Sequence, residues 1–435
     1  MTTLAGKNMQ THLSKMKTIY LCAIVYRLIL DFTYIAASGI YSYRGVEFDF
    51  SVVKYIISWG YLLMLLPFVF QNKENVGSMI MQMLFVMLVI PVFTVYAMKN
   101  RSDVFVVMLV VCFLIQCVLI NCSPQTNDII RIRHGQIILH VLLLSITVVT
   151  YGILLMKNRI SFDVLDFSAA IYDIRENVNY GLSLIRYTSV WQFRVINPYY
   201  MVYGLKKKNF KIVFSFCVLQ MVIYLILARK EILFGPFLIL GIYVIKKKFD
   251  FRNFFLIGLS GLTFVCYAIL KVTSWKLPFA IVPIRLLFDP ALIDFMFYEQ
   301  FSTNLPKLLY SESRLGQLFG IEYPYDKPSG WVVNNIYFPA IEAEANTGYL
   351  SYSYANAGFL GMLLVSILLV LILKLLDKET ENKVFAFAFC AYSFSILVNG
   401  GLLTTLLTGG ILLIIIVLLF DESVFKANDV NKGED

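Results

Sequence analysis

Long apolar runs, separated by short charged segments, dominate the hydropathy pattern of this chain. Most runs are about 20 residues long, which is the length that an α-helix needs to cross the hydrocarbon core of a bilayer. The strands of an outer-membrane barrel would show alternating segments of about 10 residues instead. The pattern therefore predicts an all-α polytopic integral membrane protein with about twelve transmembrane helices. The predicted spans are 17–38, 51–70, 78–98, 103–121, 136–156, 184–205, 211–228, 231–245, 253–272, 352–373, 384–399 and 401–420.

The composition agrees with a bilayer as the solvent. Of the 435 residues, 59% are hydrophobic and 15% are charged, and the mean hydropathy is +0.74. A soluble domain carries about 25% charged residues. The seven Cys form no CxxC pair and the three His lie far apart in the sequence, so we expect neither a metal site nor a cofactor.

The distribution of Lys and Arg predicts the orientation, because cytoplasmic loops are enriched in these residues. With the N-terminus in the cytoplasm, the basic runs 206–208 and 246–248 both fall on the cytoplasmic side. Both termini are then cytoplasmic. The formal net charge of +9 is mostly this topological signal, so it indicates contact with membrane lipids and no nucleic-acid partner.

The same orientation divides the chain into four predicted regions. Residues 1–273 form an N-terminal transmembrane bundle of about nine spans with a smaller outer loop at 157–183. Residues 274–350 form one large outer loop, 351–421 hold the C-terminal transmembrane helices, and 422–435 form a cytoplasmic tail. Loops this long are uncommon without a function.

The large loop is too rich in aromatic residues for a solvated linker. Within it, Leu292, Phe295, Met296, Phe301 and Leu305 recur at helical spacing. We therefore expect short helices that lie on the membrane surface or cap the bundle. An interfacial lid without chemistry is the alternative interpretation.

Four arginines are candidate ligands for an anion on this outer side, namely Arg285, Arg229, Arg314 and Arg194. Arg194 falls within a predicted span, where a charge needs a polar cavity or a partner. For Arg229 there are two structural alternatives, pairing with Glu231 and snorkelling to the interface. Arg27 and Asp31 have the i,i+4 spacing of a structural ion pair.

Guanidinium groups at an outer membrane interface suit a phosphate ligand, since the planar fork of Arg matches two phosphate oxygens and keeps its charge. A lipid-linked diphosphate would place its anionic group at that depth. The headgroups of anionic lipids would fit the same residues.

Glu342 and Glu344 are candidate catalytic carboxylates. They precede the segment 345–348 and the tenth span, and in an extended chain their side chains lie on the same side. A carboxylate there could deprotonate a sugar hydroxyl. A solvated loop charge is the alternative for each of them.

Several short motifs resemble a known family. They are Ala228-Arg229-Lys230, Ile284-Arg285-Leu286, Tyr298-Glu299-Gln300-Phe301, Glu344-Ala345-Asn346-Thr347-Gly348 and Tyr354-Ala355-Asn356-Ala357-Gly358-Phe359-Leu360-Gly361. Together they are similar to the bacterial O-antigen and oligosaccharide repeat-unit polymerases (Wzy-type), over residues 184–375.

The resemblance implies a GT-C-like, metal-independent glycosyltransferase of the bacterial inner membrane with one large periplasmic loop. It would polymerise undecaprenyl-diphosphate-linked oligosaccharide units into O-antigen or capsular polysaccharide at the periplasmic face. Arg285 and Arg229, supported by Arg314 and Arg194, would hold the donor diphosphate, and Glu344 or Glu342 would act as the base. A flippase and a chain-length regulator are the protein partners that it suggests.

Two other functions stay open. A lipid-linked oligosaccharide flippase also has many spans, but transporters of this kind have two related halves, which the sequence does not show. The related O-antigen ligases rely on a periplasmic His, and the large loop contains none.

Gly358 and Gly361 are expected to let helices approach closely.

Overall fold

The structure is a computed structural model that describes residues 2–71, 75–122, 132–166, 170–245, 254–313, 316, 318–421 and 423–425. Side chains are described from residue 16 onward, except at 166, 170 and 172. The described residues form helices, turns and irregular segments, with no β-strand among them.

We number the helices in chain order. They are α1 (Thr2–Tyr41), α2 (Val52–Val69), α3 (Val76–Met98), α4 (Asp103–Asn121), α5 (Gly135–Lys157), α6 (Ala170–Glu176), α7 (183–206), α8 (Phe210–Leu227), α9 (Glu231–Ile245), α10 (Phe254–Thr273), α11 (276–303), α12 (Ser329–Tyr337), α13 (Tyr349–Lys378), α14 (Lys383–Val398), α15 (Leu402–Leu407) and α16 (Ile411–Phe420).

Eight of the described helices are long and apolar enough to cross a membrane, namely α1, α2, α3, α4, α5, α8, α10 and α13. The chain is therefore an all-helical, multi-pass membrane protein, as its hydropathy predicts. Three shorter apolar helices, α9, α14 and α16, coincide with further predicted spans. The helix α7 covers the predicted sixth span but is too polar to stand among the eight. The number twelve and the GT-C-like arrangement stay predictions.

The helices group into two compact units. Unit 1 comprises Met1–Ser123, Phe249–Ile372 and Leu397–Leu402, and unit 2 comprises Pro124–Lys248, Leu373–Ile396 and Leu403–Asp435. This grouping divides the predicted N-terminal bundle between the units and places the whole segment 274–350 in unit 1.

The helix α3 is the centre of unit 1. It is buried along its whole length and packs against α1, α2, α4 and α11. Its sequence contains no charged residue, which is typical of a helix that is enclosed on all sides.

The predicted large loop begins with a long helix. Residues 276–303 form the continuous helix α11, which packs against α1 and α3 and buries Leu292, Phe295 and Phe301. The sequence predicts short helices here, on the membrane surface or capping the bundle. The prediction of short helices is wrong, because 276–303 is one long helix whose apolar positions in 290–301 are buried against other helices. In its described part, the connection that remains, 304–348, includes the short helix α12 and two helical residues at 316 and 318.

Backbone contacts tie this connection to α13, which is broken at Ala357 and Gly358. Leu308 N and Leu309 N donate to the carbonyls of Ala355 and Asn356, both at 3.0 Å. Gly358 has φ +62°, and only Lys307 Cε lies within 4 Å of the position a Cβ would take. Gly358 therefore supplies a backbone conformation that favours glycine, and the predicted close helix packing is wrong for this residue.

Unit 2 contains α7, which covers the predicted sixth span but is more polar than the eight membrane-length helices. In α7, the wide turn Gln192–Ile196 interrupts the regular hydrogen bonding, and Pro198 follows it. Proline removes the bond to the carbonyl four residues earlier, that of Arg194. Ser393 Oγ donates to this carbonyl at 3.2 Å instead. A side chain of α14 thus supplies a donor to a carbonyl that Pro198 leaves without its usual helical donor.

Candidate functional site

Two arginines and one carboxylate meet in the described part of unit 2 at Glu231, the first residue of α9, whose side chain is 42% exposed. Arg194 Nη2 donates to Glu231 Oε2 at 2.7 Å, and Arg229 Nη1 lies 3.8 Å from Glu231 Oε1. We call these three residues the arginine cluster. Two of the sequence-predicted phosphate ligands are therefore adjacent in space, although 35 residues separate them in the chain.

The local fold explains why the arginines meet. Ala228, the first residue after α8, has φ +55° and reverses the chain direction. Arg229 and Lys230 therefore form a tight turn into α9. Tyr392 Oη donates to the carbonyl of Glu231 at 2.8 Å and fixes the start of α9. The arginine cluster is thus built from helix ends and from the irregular part of α7.

A buried polar network supports the same region. Gln220 Nε2 donates to the carbonyls of Phe193 and Ile232 at 3.1 and 2.9 Å, and Asn197 Nδ2 donates to Gln220 Oε1 at 2.7 Å. The carbonyl of Phe193 is available because the wide turn in α7 leaves it without its usual helical partner. These bonds hold α7, α8 and α9 of unit 2 in one arrangement.

The charges of the arginine cluster do not balance, because two guanidinium groups share one carboxylate. Arg194 is buried, with 9% of its side chain exposed, and the Nε atoms of both arginines are buried without a hydrogen-bond partner. A buried N–H without a partner is costly, and an anion with several acceptor oxygens would satisfy it. The predictions of a partner for Arg194 and of a pair between Arg229 and Glu231 are both confirmed.

The structure describes one of the other two predicted ligands. Arg285 is an exposed residue of α11 in unit 1, where its charge acts on Asp289. Asp289 also accepts a hydrogen bond from Arg44 Nη2 at 2.8 Å. Burial raises the pKa of Asp289 to about 6, although Arg44 and Arg285 lower it. Arg314 lies outside the described residues.

The predicted catalytic carboxylates are both exposed residues of unit 1. Glu344 packs against Gly330 at the start of α12: a Cβ on Gly330 would lie 2.7 Å from Glu344 Cγ. Ala345 N donates to the carbonyl of Gly330 at 3.1 Å. Glu344 therefore has a fixed backbone position, whereas Glu342 is a solvent-exposed residue.

Two further carboxylates of unit 1, to which the sequence analysis assigned no particular role, have well-defined partners. Glu312 accepts hydrogen bonds from Ser329 N at 3.0 Å, from Ser329 Oγ at 2.7 Å and from Tyr352 Oη at 3.2 Å. Asp294 is 1% exposed and binds the backbone near Gly348. An acid among Leu292, Phe295 and Met296 is the signal that could have identified Asp294, whereas nothing in the local sequence marks Glu312.

Two arginines of unit 1, Arg27 and Arg101, each form an ion pair with one carboxylate. Arg27 Nε donates to Asp31 Oδ1 at 2.7 Å, which confirms the predicted pair. Arg101 Nη1 donates to both oxygens of Glu299 at 2.8 and 2.9 Å, and Tyr337 Oη donates to Glu299 Oε2 at 2.9 Å. Each of these arginines has a carboxylate of its own.

Comparison of the chain with protein-family models, with curated proteins and with solved structures gives no match.

Proposed function

We propose that the protein is a polymerase of lipid-linked oligosaccharide repeat units, a metal-independent membrane glycosyltransferase. It uses glycans on undecaprenyl diphosphate at the periplasmic face of the bacterial inner membrane and extends O-antigen or capsular polysaccharide. The sequence motifs that resemble repeat-unit polymerases support the activity, and the arginine cluster supports the substrate class.

The observation that carries the proposal is the sharing of Glu231 by Arg194 and Arg229. A diphosphate would supply the missing negative charge and the acceptors for the two Nε atoms. Guanidinium groups bind phosphate oxygens through two parallel hydrogen bonds, which fixes the orientation of the ligand as well as its charge.

The position of the arginine cluster along the chain agrees with a lipid-borne ligand. Arg229 follows directly after α8, one of the helices long and apolar enough to cross a membrane. A diphosphate on a polyprenyl chain has its anionic group where the hydrocarbon ends, which is also where a span ends.

The reaction breaks the bond between the anomeric carbon and the phosphate oxygen of the donor, and it forms a bond to a hydroxyl oxygen of the acceptor sugar. Undecaprenyl diphosphate leaves with the electron pair of the broken bond. Fixed positive charge stabilises this leaving group as the bond breaks. The hydroxyl proton passes to a carboxylate, for which Glu344 and Glu342 are the candidates from the family resemblance.

Deletion of the gene in its native host, with the lipid-linked and surface glycans resolved by size, tests the activity. A polymerase predicts loss of the long glycan ladder while a single repeat unit still reaches the surface. If no repeat unit reaches the surface, the protein is a flippase. If the ladder is retained and only its attachment to the final carrier is lost, it is a ligase.

Complementation of the deletion strain tests the arginine cluster. Arg194→Ala and Arg229→Ala are each expected to reduce the ladder by about 100-fold, the effect of removing one charged transition-state contact. Arg186→Ala is the matched control. Arg186 is an exposed residue of the same helix, α7, and its guanidinium group lies over the ring of Tyr180. Full complementation by both cluster variants would remove the cluster from the proposal.

A further inference from the structure

Asp294 is a buried carboxylate that no step of the proposed reaction uses. It lies on α11 and is 1% exposed. Its Oδ1 atom accepts hydrogen bonds from Thr347 Oγ1 at 2.7 Å and from Gly348 N at 2.8 Å. A single carboxylate oxygen thus joins α11 to residues that lie about 50 positions later in the chain.

The contact depends on a glycine at position 348. A Cβ on Gly348 would lie 3.0 Å from Leu88 Cδ1, 3.0 Å from the carbonyl of Val398 and 3.1 Å from Asp294 Oδ1. Such distances are shorter than ordinary van der Waals contact. The backbone can therefore approach Asp294 this closely only because the residue has no side chain.

The segment 345–348, which we call the anchor segment, is held at both ends. At its start, Ala345 N donates to the carbonyl of Gly330 at 3.1 Å, and Ala345 is 6% exposed. At its end, Asp294 holds Thr347 and Gly348. Glu344 is the residue immediately before the anchor segment, so its position follows from these two attachments.

We propose that Asp294 is a positioning residue that fixes the anchor segment to α11 and thereby determines where Glu344 lies. The link to catalysis rests on the proposed function, in which Glu344 is a candidate base. The positional part concerns only contacts within unit 1 and can be tested without a substrate.

The charge of Asp294 gives the anchor a pH dependence of known sign. Burial raises the pKa of Asp294 to about 6, and the hydrogen bonds from Thr347 and Gly348 offset part of this rise. When the anchor segment opens, water reaches the carboxyl group and its pKa returns towards the ordinary value for Asp. Protonation therefore favours the closed anchor, which should be tighter at pH 5 than at pH 7.5.

The titratable and charged groups near Asp294 do not change the sign of this pH dependence. From α13, Tyr349 is the titratable side chain that senses the charge of Asp294, and a tyrosine stays neutral at these pH values. On α11 itself, Asp289 and Glu299 are bound by Arg44 and Arg101. The neighbouring α3 carries no charged residue.

Thiol labelling of the purified full-length protein with a membrane-impermeant maleimide measures the closure of the anchor segment. Ala345→Cys places the probe in the segment, and Ser311→Cys is the matched control. Ser311 is equally buried in the same connection, but it bonds to Leu308 instead of Asp294. The native cysteines are counted in the parent chain and subtracted.

Two substitutions separate the acceptor from the charge. Asp294→Leu removes the acceptor of both hydrogen bonds and is expected to raise the labelling of Ala345→Cys about tenfold or more, since one lost hydrogen bond of ordinary strength already corresponds to about tenfold. Asp294→Asn keeps an acceptor oxygen and mimics the protonated carboxyl group, so at pH 5 it is expected to leave labelling within about twofold of the parent. Ser311→Cys should respond to neither.

The pH profile of labelling gives a second readout, which depends on the charge of Asp294 and not only on its hydrogen bonds. Between pH 5 and pH 7.5, the labelling of Ala345→Cys relative to Ser311→Cys should rise about tenfold in the chain that contains Asp294. In the Asp294→Asn chain this ratio should stay constant.

Three results would overturn the proposal. They are unchanged labelling in Asp294→Leu, equal increases at both probes, and an Asp294→Asn chain that opens as far as Asp294→Leu. In the complementation assay, Asp294→Leu should reduce the glycan ladder about tenfold and Asp294→Asn should restore it. Opening without loss of the ladder would overturn the link to Glu344, whereas a deletion strain with a normal ladder would refute the polymerase and leave the labelling result standing.

Discussion

Unit 1 and unit 2 bury arginines in different ways. In unit 1, Arg27 and Arg101 each have one carboxylate within hydrogen-bond distance. In unit 2, Arg194 and Arg229 share the single carboxylate of Glu231. A buried N–H without a partner occurs on all four side chains, so hydrogen bonding does not separate the two units. The two units differ instead in the balance of charge around their arginines.

This difference has an energetic meaning. Moving a charge out of water costs several kcal/mol, and a partner of opposite charge offsets that cost. A one-to-one pair is therefore self-sufficient and acts as part of the scaffold. A cluster with one carboxylate for two guanidinium groups keeps an excess of positive charge, which a bound anion would neutralise. Function is expected where the scaffold leaves charge uncompensated.

Breaking a one-to-one pair should have the largest effect on stability. Arg27→Leu leaves Asp31 buried without its cation and is expected to lower the free energy of unfolding by about 3–5 kcal/mol. Denaturant unfolding in detergent micelles measures it. The double variant Arg27→Leu/Asp31→Leu should recover more than half of the loss, since no charge is then left buried. A double variant as unstable as the single one would mean that the pair does more than compensate its own charges.

The carboxylates of α11 should make unit 1 more stable in mild acid. Burial raises the pKa values of Asp289 and Asp294 to about 6, above their ordinary value. Their contribution is fully present below about pH 4 and is lost as the pH rises through 6, by an amount on the order of 2 kcal/mol for each group. Unfolding measured from pH 4 to pH 7.5 should show this decline, and Asp294→Asn should reduce it by about half, because Asp289 still contributes. A profile that rises over the same interval would contradict the assignment.

Removing the shared carboxylate should sharpen the contrast between the units. Glu231→Gln takes away the group that competes with an anion for Arg194 and Arg229, so the affinity for inorganic diphosphate should increase about tenfold. Isothermal titration calorimetry on the purified protein at fixed salt measures the affinity. Glu322→Gln, a change of the same type at an exposed residue of unit 1, should have no effect. Weaker binding in Glu231→Gln would show that Glu231 orients the arginines instead of competing with the ligand.

The smallest effect is expected where a pair keeps its other bonds. Tyr337→Phe removes the hydrogen bond from Tyr337 Oη to Glu299 and the acceptor of the bond from Gln300 Nε2, but Arg101 still donates to both carboxylate oxygens. The free energy of unfolding should fall by about 1 kcal/mol or less. A loss as large as that of Arg27→Leu would mean that α12 depends on this bond for its attachment to α11.

The sequence by itself determined the class of the protein and most of its helices. Apolar runs of membrane length predicted all eight long helices, because the requirement to satisfy backbone hydrogen bonds in hydrocarbon leaves little choice of secondary structure. Local spacing was sufficient for the pair of Arg27 with Asp31, since residues four apart on a helix are neighbours. It was also sufficient for the contact of Arg229 with Glu231.

Only the tertiary structure decided which distant residues meet. The apolar positions of α11 fit a membrane surface and a helix-lined core equally well, and its packing against α1 and α3 selected the core. The partner of Arg194 is Glu231 on another helix, 37 positions later in the chain, and no local pattern around Arg194 points to it. Likewise, Asp294 reaches Gly348 only because helices far apart in the chain enclose both. Periodicity specifies which face of a helix is apolar, but the neighbour that covers this face is set by packing over the whole unit.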